Sequence, residues 1–199
     1  MADLALVCGG TGALGRAIAD ALRLRGDDVL VAGRDDVDLT DAVAVERFWD
    51  ALQTPPRWVV NAAGGFRTGT VADSEPADVR FLTDLNLQTA WWSCRAAARR
   101  LPGGGGIVNV AARSGLTGGA GSAAYAVTKA AVIRLTQVLA LELAERRVRV
   151  NAVVPTLIDT PANRAQGITG GTAPADVAST VAFLLSDAAA AVTGATIPV

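Results

Sequence analysis

The chain has 199 residues, about half of them hydrophobic, a formal net charge of −1 and no histidine. That length accommodates one domain over 1–199 with a substantial core, and the near-neutral balance gives no reason to expect nucleic acid as a partner. Without histidine, a Ser-His-Asp triad and a histidine-ligated zinc site are both excluded.

Cys8 and Cys94, the only 2 cysteines, lie in apolar stretches and read as reduced core thiols of a cytosolic protein, not as a thiolate metal site. No apolar run reads as long enough to span a bilayer, so no membrane is expected. The N-terminal "MADLALVCGG" carries no basic region ahead of its apolar run, and no signal peptide is expected.

"LALVC" is a short apolar run that stops at a glycine cluster and reads as the first strand. Leu14, Ile18, Ala21 and Leu22 then form an apolar stripe at helical spacing, up to Arg25. "DVLVAG" reads as the second strand and "VDL" as a very short third, after which Thr40 or Asp41 can cap a helix running to about Leu52. "RWVVNAAGG" is strand and then loop, followed by a long helical stretch from about Pro76 to Leu101. "GIVNVAA" is the next strand, and a glycine-rich loop leads to a helix from about Gly121 to Ala144. "RVRVNAVVP" is a strand, "ITGGTAP" after Gln166 a mobile surface segment, "APADVASTVAFLLS" a helix and "ATIPV" a last short strand. Strands alternating with helices of this length imply βαβ units and an α/β fold with a parallel sheet. The continuous apolar character of several strands implies helices on both faces.

Between the first strand and the first helix stands "GGTGALG", with Gly9, Gly12 and Gly15 three apart and Thr11 and Leu14 between them. Glycines let the backbone turn tightly against a ligand, and a helix start offers free N–H groups, a combination suited to a dinucleotide pyrophosphate. The second strand ends at Gly33-Arg34. Arginine there favours the 2′-phosphate of NADP(H); Asp35 and Asp36 beside it could neutralise it, which leaves NAD(H) open.

Tyr125 and Lys129 are the only tyrosine and the only lysine of the chain; the other basic residues are all arginine. At i and i+4 they share one helix face. A free phenol, with a pKa near ~10, is a poor base at neutral pH. A neighbouring ammonium is expected to lower that value, so that the tyrosine can donate or accept a proton.

The glycine loop, "NAAG" (Asn61, Ala62, Ala63, Gly64), Asn86, "YAVTK" and "VNAVVPTLIDTP" occur in an order and spacing that resemble the short-chain dehydrogenase/reductase family over nearly the whole chain. The resemblance implies a three-layer Rossmann fold with a doubly wound parallel sheet of about seven strands, NAD(P)-dependent hydride transfer, and a homodimer or homotetramer built on the two long helices. It implies that Tyr125 is the proton donor or acceptor, and that Asn86 supports a water relaying protons to Lys129. It also implies that Asn61 to Gly64 line the cofactor and that Asp38 and Leu39 meet the adenine. Ile158 and Thr160, after Pro155, would hold the nicotinamide carboxamide. Trp91, Trp92, Val132 and Leu135 are available for the helix contacts between subunits.

The pattern departs at one point that matters for chemistry. Thirteen residues before the tyrosine, where the family has a serine donor to the substrate oxygen, this chain has Ala112, with Ser114 two residues on. Either Ser114 takes over or the reaction does without. Dihydropteridine reductase-like members are similar in "GGTGALG", in alanine at this position and in "LIDTPANR"; they reduce a quinonoid C=N system in which no alkoxide forms. Lesser departures are Ala13 for the middle glycine, Pro155-Thr156, the near-absent segment between the second and third strands, and a short segment after Arg164. The expected substrate is a small carbonyl, imine or quinonoid compound, met by loops around Phe66, Arg67, 113–116 and 162–168. The alternative is a cofactor-binding sensor or partner protein without turnover.

Overall fold

The computed structural model describes residues 2–165 and 167–199. Six strands form one all-parallel sheet in the order β2-β1-β3-β4-β5-β6. These are β1 (Leu4–Cys8), β2 (Asp28–Ala32), β3 (Trp58–Asn61), β4 (Gly106–Val110), β5 (Arg149–Val154) and β6 (Thr196–Pro198). The register sets Cys8 beside Asn61 and Asn61 beside Asn109, so the C-terminal ends of β1, β3 and β4 lie in line.

Alternation along each strand divides the core. Leu6, Val59, Ile107 and Val150 point to one face, where they meet α2 (Ala42–Asp50), α4 (Thr89–Arg100) and α6 (Ala123–Glu142) through Trp49, Ala97, Leu101 and Leu139. Ala5, Val7, Val60 and Val153 point to the other, against Ile18 and Leu22 of α1 (Ala13–Arg25) and Val177 and Val181 of α8 (Pro174–Leu184). These strand residues are wholly buried, and the valines, leucine and isoleucine among them are each worth about 1.5–3 kcal/mol in transfer from water. Helices on both sheet faces make the three-layer arrangement expected of the alternating pattern.

Four expectations are corrected. "VDL" is not a strand, so the sheet has six strands, not seven: Asp38 turns its carboxylate onto the Thr40 N–H and hydroxyl at 2.9 and 2.7 Å, and Val37 hydrogen-bonds back to Gly33. Val37 and Leu39 are nevertheless buried, as core side chains of a turn. The helix from Pro76 is not uniform: α3 (Pro76–Leu82) passes through a π-helical stretch, Thr83–Gln88, before α4. The loop after β4 contains a helical turn, α5 (Ser114–Thr117), and a further short helix, α7 (Pro161–Ala165), lies in "PANRA". Finally, α6 is 20 residues long and by composition apolar enough to cross a membrane. Here it packs on the sheet and buries Thr128, Lys129 and Thr136, as a core helix does.

Candidate functional site

The C-terminal edge of the sheet carries the glycine loop. Gly9 has φ +78°, and a Cβ on it would lie 2.5 Å from the Ala63 amide nitrogen; a Cβ on Gly15 would lie 2.3 Å from the Gly9 carbonyl oxygen. Both positions therefore exclude any side chain. A Cβ on Gly12, by contrast, would meet only the Gly9 oxygen, at 3.6 Å. Gly12 is the N-cap of α1, without a side-chain cap and with no acidic residue in the first turn. Open space beside free N–H groups at a positive helix end fits a pyrophosphate. Thr11 and Gly12 are exposed, whereas Leu14 is buried in the core. Gly33 packs against the Thr11 side chain, where a Cβ would come within 2.6 Å of Cγ2, so the loop reaches the end of β2.

Arg34 is exposed at that end, with Asp36 turned back to accept the Gly33 N–H at 2.8 Å. Asp38 is held below the usual carboxylate range by its bonds from Thr40 and, more weakly, by the Arg34 charge. Arg34 and Asp38 thus stand close enough to feel one another, and Leu39 is buried between turn and core.

Tyr125 and Lys129 lie in the first turns of α6, with the Lys129 Nζ 6.0 Å from the tyrosine ring centroid. Lys129 is 5% exposed. Its ammonium donates to the Val110 carbonyl at the end of β4, at 3.0 Å, and no carboxylate pairs with it among the described residues. Burial pushes its pKa down from 10.5 to about 8. Burial also raises the Tyr125 phenol above its ordinary value. The depression expected from the lysine is therefore absent in the protein alone: desolvation of the phenol sets the shift, and the ammonium is turned to a backbone carbonyl.

Asn86, in the π-helical stretch, faces the same place. Its side chain accepts the Gly65 N–H at 2.9 Å and donates to the Gly65 carbonyl at 3.1 Å and to the Thr128 hydroxyl at 3.2 Å. Thr128 in turn donates to the Tyr125 carbonyl at 2.9 Å. A Cβ on Gly64 would fall 2.9 Å from Asn86 Oδ1 and 3.1 Å from Lys129 Nζ. Gly64, Asn86 and Lys129 are thus brought together, with Ala62 and Ala63 in the loop that leads there. Asn61 is set back: it is buried and donates to Asn109 Oδ1 at 2.7 Å, which ties β3 to β4. Sequence reasoning missed Thr128 as the link between Asn86 and Tyr125, although it lies inside "YAVTK". It also missed that Phe66 packs edge-on to Tyr125, with centroids 4.9 Å apart and planes at 82°.

Ala112 is buried. The Ser114 hydroxyl is also buried, without a hydrogen-bond partner, and its Cβ faces Gly119. Beyond β5, Pro155 is buried and accepts the Arg113 N–H at 2.9 Å. The Ile158 carbonyl receives both the Thr160 N–H at 2.9 Å and Asn163 Nδ2 at 2.7 Å, so it has no lone pair to spare. The Thr160 hydroxyl accepts from Asn163 at 3.2 Å and keeps its proton for another acceptor. The glycine-rich segment that follows is tied back at its end, with Thr172 donating to Leu157 at 2.7 Å and accepting from Asp159 at 2.9 Å; Gln166 lies outside the described residues.

A family profile described as Enoyl-(Acyl carrier protein) reductase matches residues 36–173. The chain is 34% identical to Galactitol 2-dehydrogenase of Rhizobium johnstonii, over 99% of this chain and 93% of that one. It is 41% identical to 4-formylbenzenesulfonate dehydrogenase TsaC1/TsaC2 of Comamonas testosteroni, over 55% of this chain and 51% of the other. Among solved structures, an oxidoreductase of the short chain dehydrogenase/reductase family from Burkholderia thailandensis superposes with a TM-score of 0.87 at 28% identity, covering 100% of this chain and 91% of that one. With the parallel sheet, the glycine loop and the Tyr125–Lys129 face already in place, these matches settle the kinship: the chain belongs to the short-chain dehydrogenase/reductase family.

Proposed function

We propose that the protein is an NADP(H)-dependent oxidoreductase that transfers hydride to a small carbonyl, imine or quinonoid substrate, with Tyr125 as the proton donor. The observation that carries this reading is the buried Lys129 ammonium, which has one neutral acceptor, no carboxylate, and Tyr125 and Asn86 beside it. An ammonium with unfilled donors at the ligand-facing edge suits the hydroxyls of a ribose, as the open helix start at Gly12 suits a pyrophosphate. When bound, the nicotinamide supplies or takes the hydride. The chain's own part is the proton: the raised phenol keeps Tyr125 protonated at neutral pH, ready to donate as the substrate is reduced. Asn86 holds the Gly65 backbone and, through Thr128, the turn of α6 that carries Tyr125.

Arg34, exposed at the end of β2, supports NADP(H) over NAD(H), and the Thr160 hydroxyl with its free proton supports a carboxamide partner. The test is paired. Calorimetric titration should show tighter binding of NADPH than NADH, with Arg34→Ala weakening NADPH selectively. Tyr125→Phe should lower kcat by about 100-fold or more while cofactor binding survives. Equal affinities would remove the cofactor preference, and an active Tyr125→Phe would remove the proton role.

A second reading, a cofactor-binding sensor or partner protein without turnover, is favoured by Ala112 and by the shielded Ser114 hydroxyl, which together leave no serine donor in the open. NADPH binding with no turnover on a carbonyl, imine and quinonoid panel would select it.

Self-association belongs to the same proposal. Val127, Val138 and Leu141 form an exposed apolar stripe along α6, with Trp91 exposed on α4. Val132, by contrast, is 1% exposed and belongs to the core, and Trp92 is half-buried with its indole on Gln88. The contact face is therefore the 127–138–141 stripe, and covering it in a homo-oligomer would remove an apolar patch from water. Light scattering at micromolar concentration should give at least a dimer, and Val138→Asp a monomer; a monomeric unmodified protein would count against the stripe as an interface.

A further inference from the structure

The loop after β3 is fastened at two points. Asn86 binds both the N–H and the C=O of Gly65. Four residues on, the Gly69 N–H donates to the Gly121 carbonyl at 2.8 Å, and the Gly69 carbonyl accepts the Ala123 N–H at 3.0 Å, a bridge to the very start of α6. Only three residues, 66–68, span the interval. Arg67 is drawn away from the site: its guanidinium lies 3.9 Å over the Phe81 ring and pairs with Asp78. Phe66 goes to the other side and meets Tyr125 in a T-shaped pair.

Held in this way by its backbone, Phe66 is 59% exposed. Leu116 and Ile168, on the other two loops at this end of the sheet, are 48% and 40% exposed. Lys129 is buried, Arg67 is held by Asp78, and Arg113 is exposed on the loop after β4. The exposed ring packed on the phenol is Phe66.

We propose that Phe66 is the specificity-determining residue of the site, and that it selects substrates with a flat ring next to the reacting carbon over aliphatic ones. The proposal rests on the reading of Tyr125 as proton donor. An edge-to-face pair leaves an exposed ring face on which a third ring can lie, and a substrate ring seated there places its attached carbonyl at the side of Tyr125. A polyol or short aliphatic ketone has no face to offer that surface. Asn86 and Gly69 fix the loop in advance, so ordering it costs little on binding.

The test compares benzaldehyde with butanone as substrates of the NADPH-loaded protein, in the wild type and in Phe66→Ala, Phe66→Leu and Phe66→Tyr. Phe66→Ala should raise KM for benzaldehyde about tenfold more than KM for butanone, equivalent to about 1.4 kcal/mol, with any change in kcat shared by the two substrates. Phe66→Tyr should restore the preference, and Phe66→Leu, apolar but not flat, should not. In the wild type, Phe66→Ala and Phe66→Leu, phenolate absorbance reports Tyr125 alone because the chain has 1 tyrosine, and it shows whether the variant has disturbed the proton donor. Equal losses on both substrates, expressed in kcat, would mean that Phe66 only props Tyr125, and would overturn the proposal. If the wild type turns over neither compound, binding of benzyl alcohol against 2-butanol to the NADP-loaded protein is read by ligand-detected NMR. A preference for benzyl alcohol that vanishes in Phe66→Ala then upholds the role of Phe66, and the hydride-transfer reading fails only if the imine and quinonoid panel is not turned over either. No preference overturns the role of Phe66 as well.

Discussion

The two ends of the sheet obey opposite rules. At the N-terminal edge of the strands, two arginines pair with three aspartates: Arg57 with Asp3 at 2.6 Å and with Asp187 at 3.6 Å, and Arg25 with Asp27 at 2.7 Å. Arg149 donates to the carbonyls of Leu184, Ser186 and Ala189, closing the C-terminal end of α8 and the turn after it. Arg25 adds a bond to Ala182 at 2.7 Å, and Arg25 and Arg57 lie over the Trp58 ring at 5.4 and 4.4 Å. A planar fork can serve a carboxylate, several carbonyls and a ring face at once, which suits arginine to this edge. At the C-terminal edge the one lysine is buried with a single carbonyl, and the Ser114 hydroxyl and Asn61 Oδ1 are buried with no partner. The N-terminal edge leaves one such atom, Arg25 Nη2, but only the C-terminal edge buries a cation with a single neutral acceptor and no carboxylate beside it among the described residues. Departures from local satisfaction of this kind concentrate where a protein acts.

The contrast is sharpest for Lys129, and alkaline unfolding can break it. The folded protein holds the Lys129 proton only to about pH 8, whereas the value without burial is 10.5. Between these the unfolded chain binds more protons, so this residue makes stability rise with pH across that window. The buried thiols act oppositely above pH 9, since burial raises Cys8 to about 11 and Cys94 to about 12. Comparison with Lys129→Met cancels the thiols. From pH 7.5 to 10 the stability of the wild type relative to that variant should increase by about 2–3 kcal/mol in urea unfolding. A constant difference would show that the lysine is not buried in charged form and that the two edges are alike.

Next in size is Arg149 at the other end. Burial disfavours its charge, yet three carbonyls depend on it. Arg149→Met should lower stability by about 2 kcal/mol, since hydrogen bonds to a charged group are lost and acceptors are left stranded. It should leave the affinity for NADPH unchanged, because the loss is confined to the structural edge. A weakened nucleotide affinity would mean that the edges are coupled through β5.

Much of this division could be read from residue types. The three-layer plan followed from apolar runs of strand length alternating with helical stripes, and Gly9, Gly12 and Gly15 marked the loop that excludes side chains at two positions and stays open at the third. Tyr125 and Lys129 were legible because each occurs once, at one helical turn's spacing. What could not be read depended on distant contacts. "VDL" has strand character, but Asp38 finds Thr40 two residues on, and that local bond outcompetes a ladder with β2. The sign at Tyr125 was missed because spacing shows the lysine nearby but not that the ring is desolvated. Val132 looked available on one face of α6, yet it sits against Ala90 and Ala111 in the core, a matter of helix rotation that this long apolar helix does not declare.

The smallest expected effect lies at Ser114, and it tests whether every unpartnered group at the C-terminal edge serves a ligand. Its hydroxyl has no accessible surface to speak of and no partner. A donor to a substrate oxygen must reach the space where the substrate lies, and this one is shielded from solvent in the protein as it stands. An oxyanion donor that did reach it would be worth about 100-fold or more in kcat. Removing an unsatisfied buried hydroxyl, so that only the methyl side chain is left, removes a desolvation cost and little else. Ser114→Ala should therefore change kcat by less than about twofold and stability by less than about 0.5 kcal/mol, in either direction. Ala112→Ser should likewise bring little gain if the substrate is an imine or quinonoid compound that builds no charge on oxygen. A loss of about 100-fold in Ser114→Ala, with circular dichroism unchanged, would show that α5 shifts when substrate enters and delivers the hydroxyl. The enzyme would then act on an ordinary carbonyl with a displaced serine, and the Ser114 hydroxyl would join Lys129 as a group that the C-terminal edge leaves for a ligand.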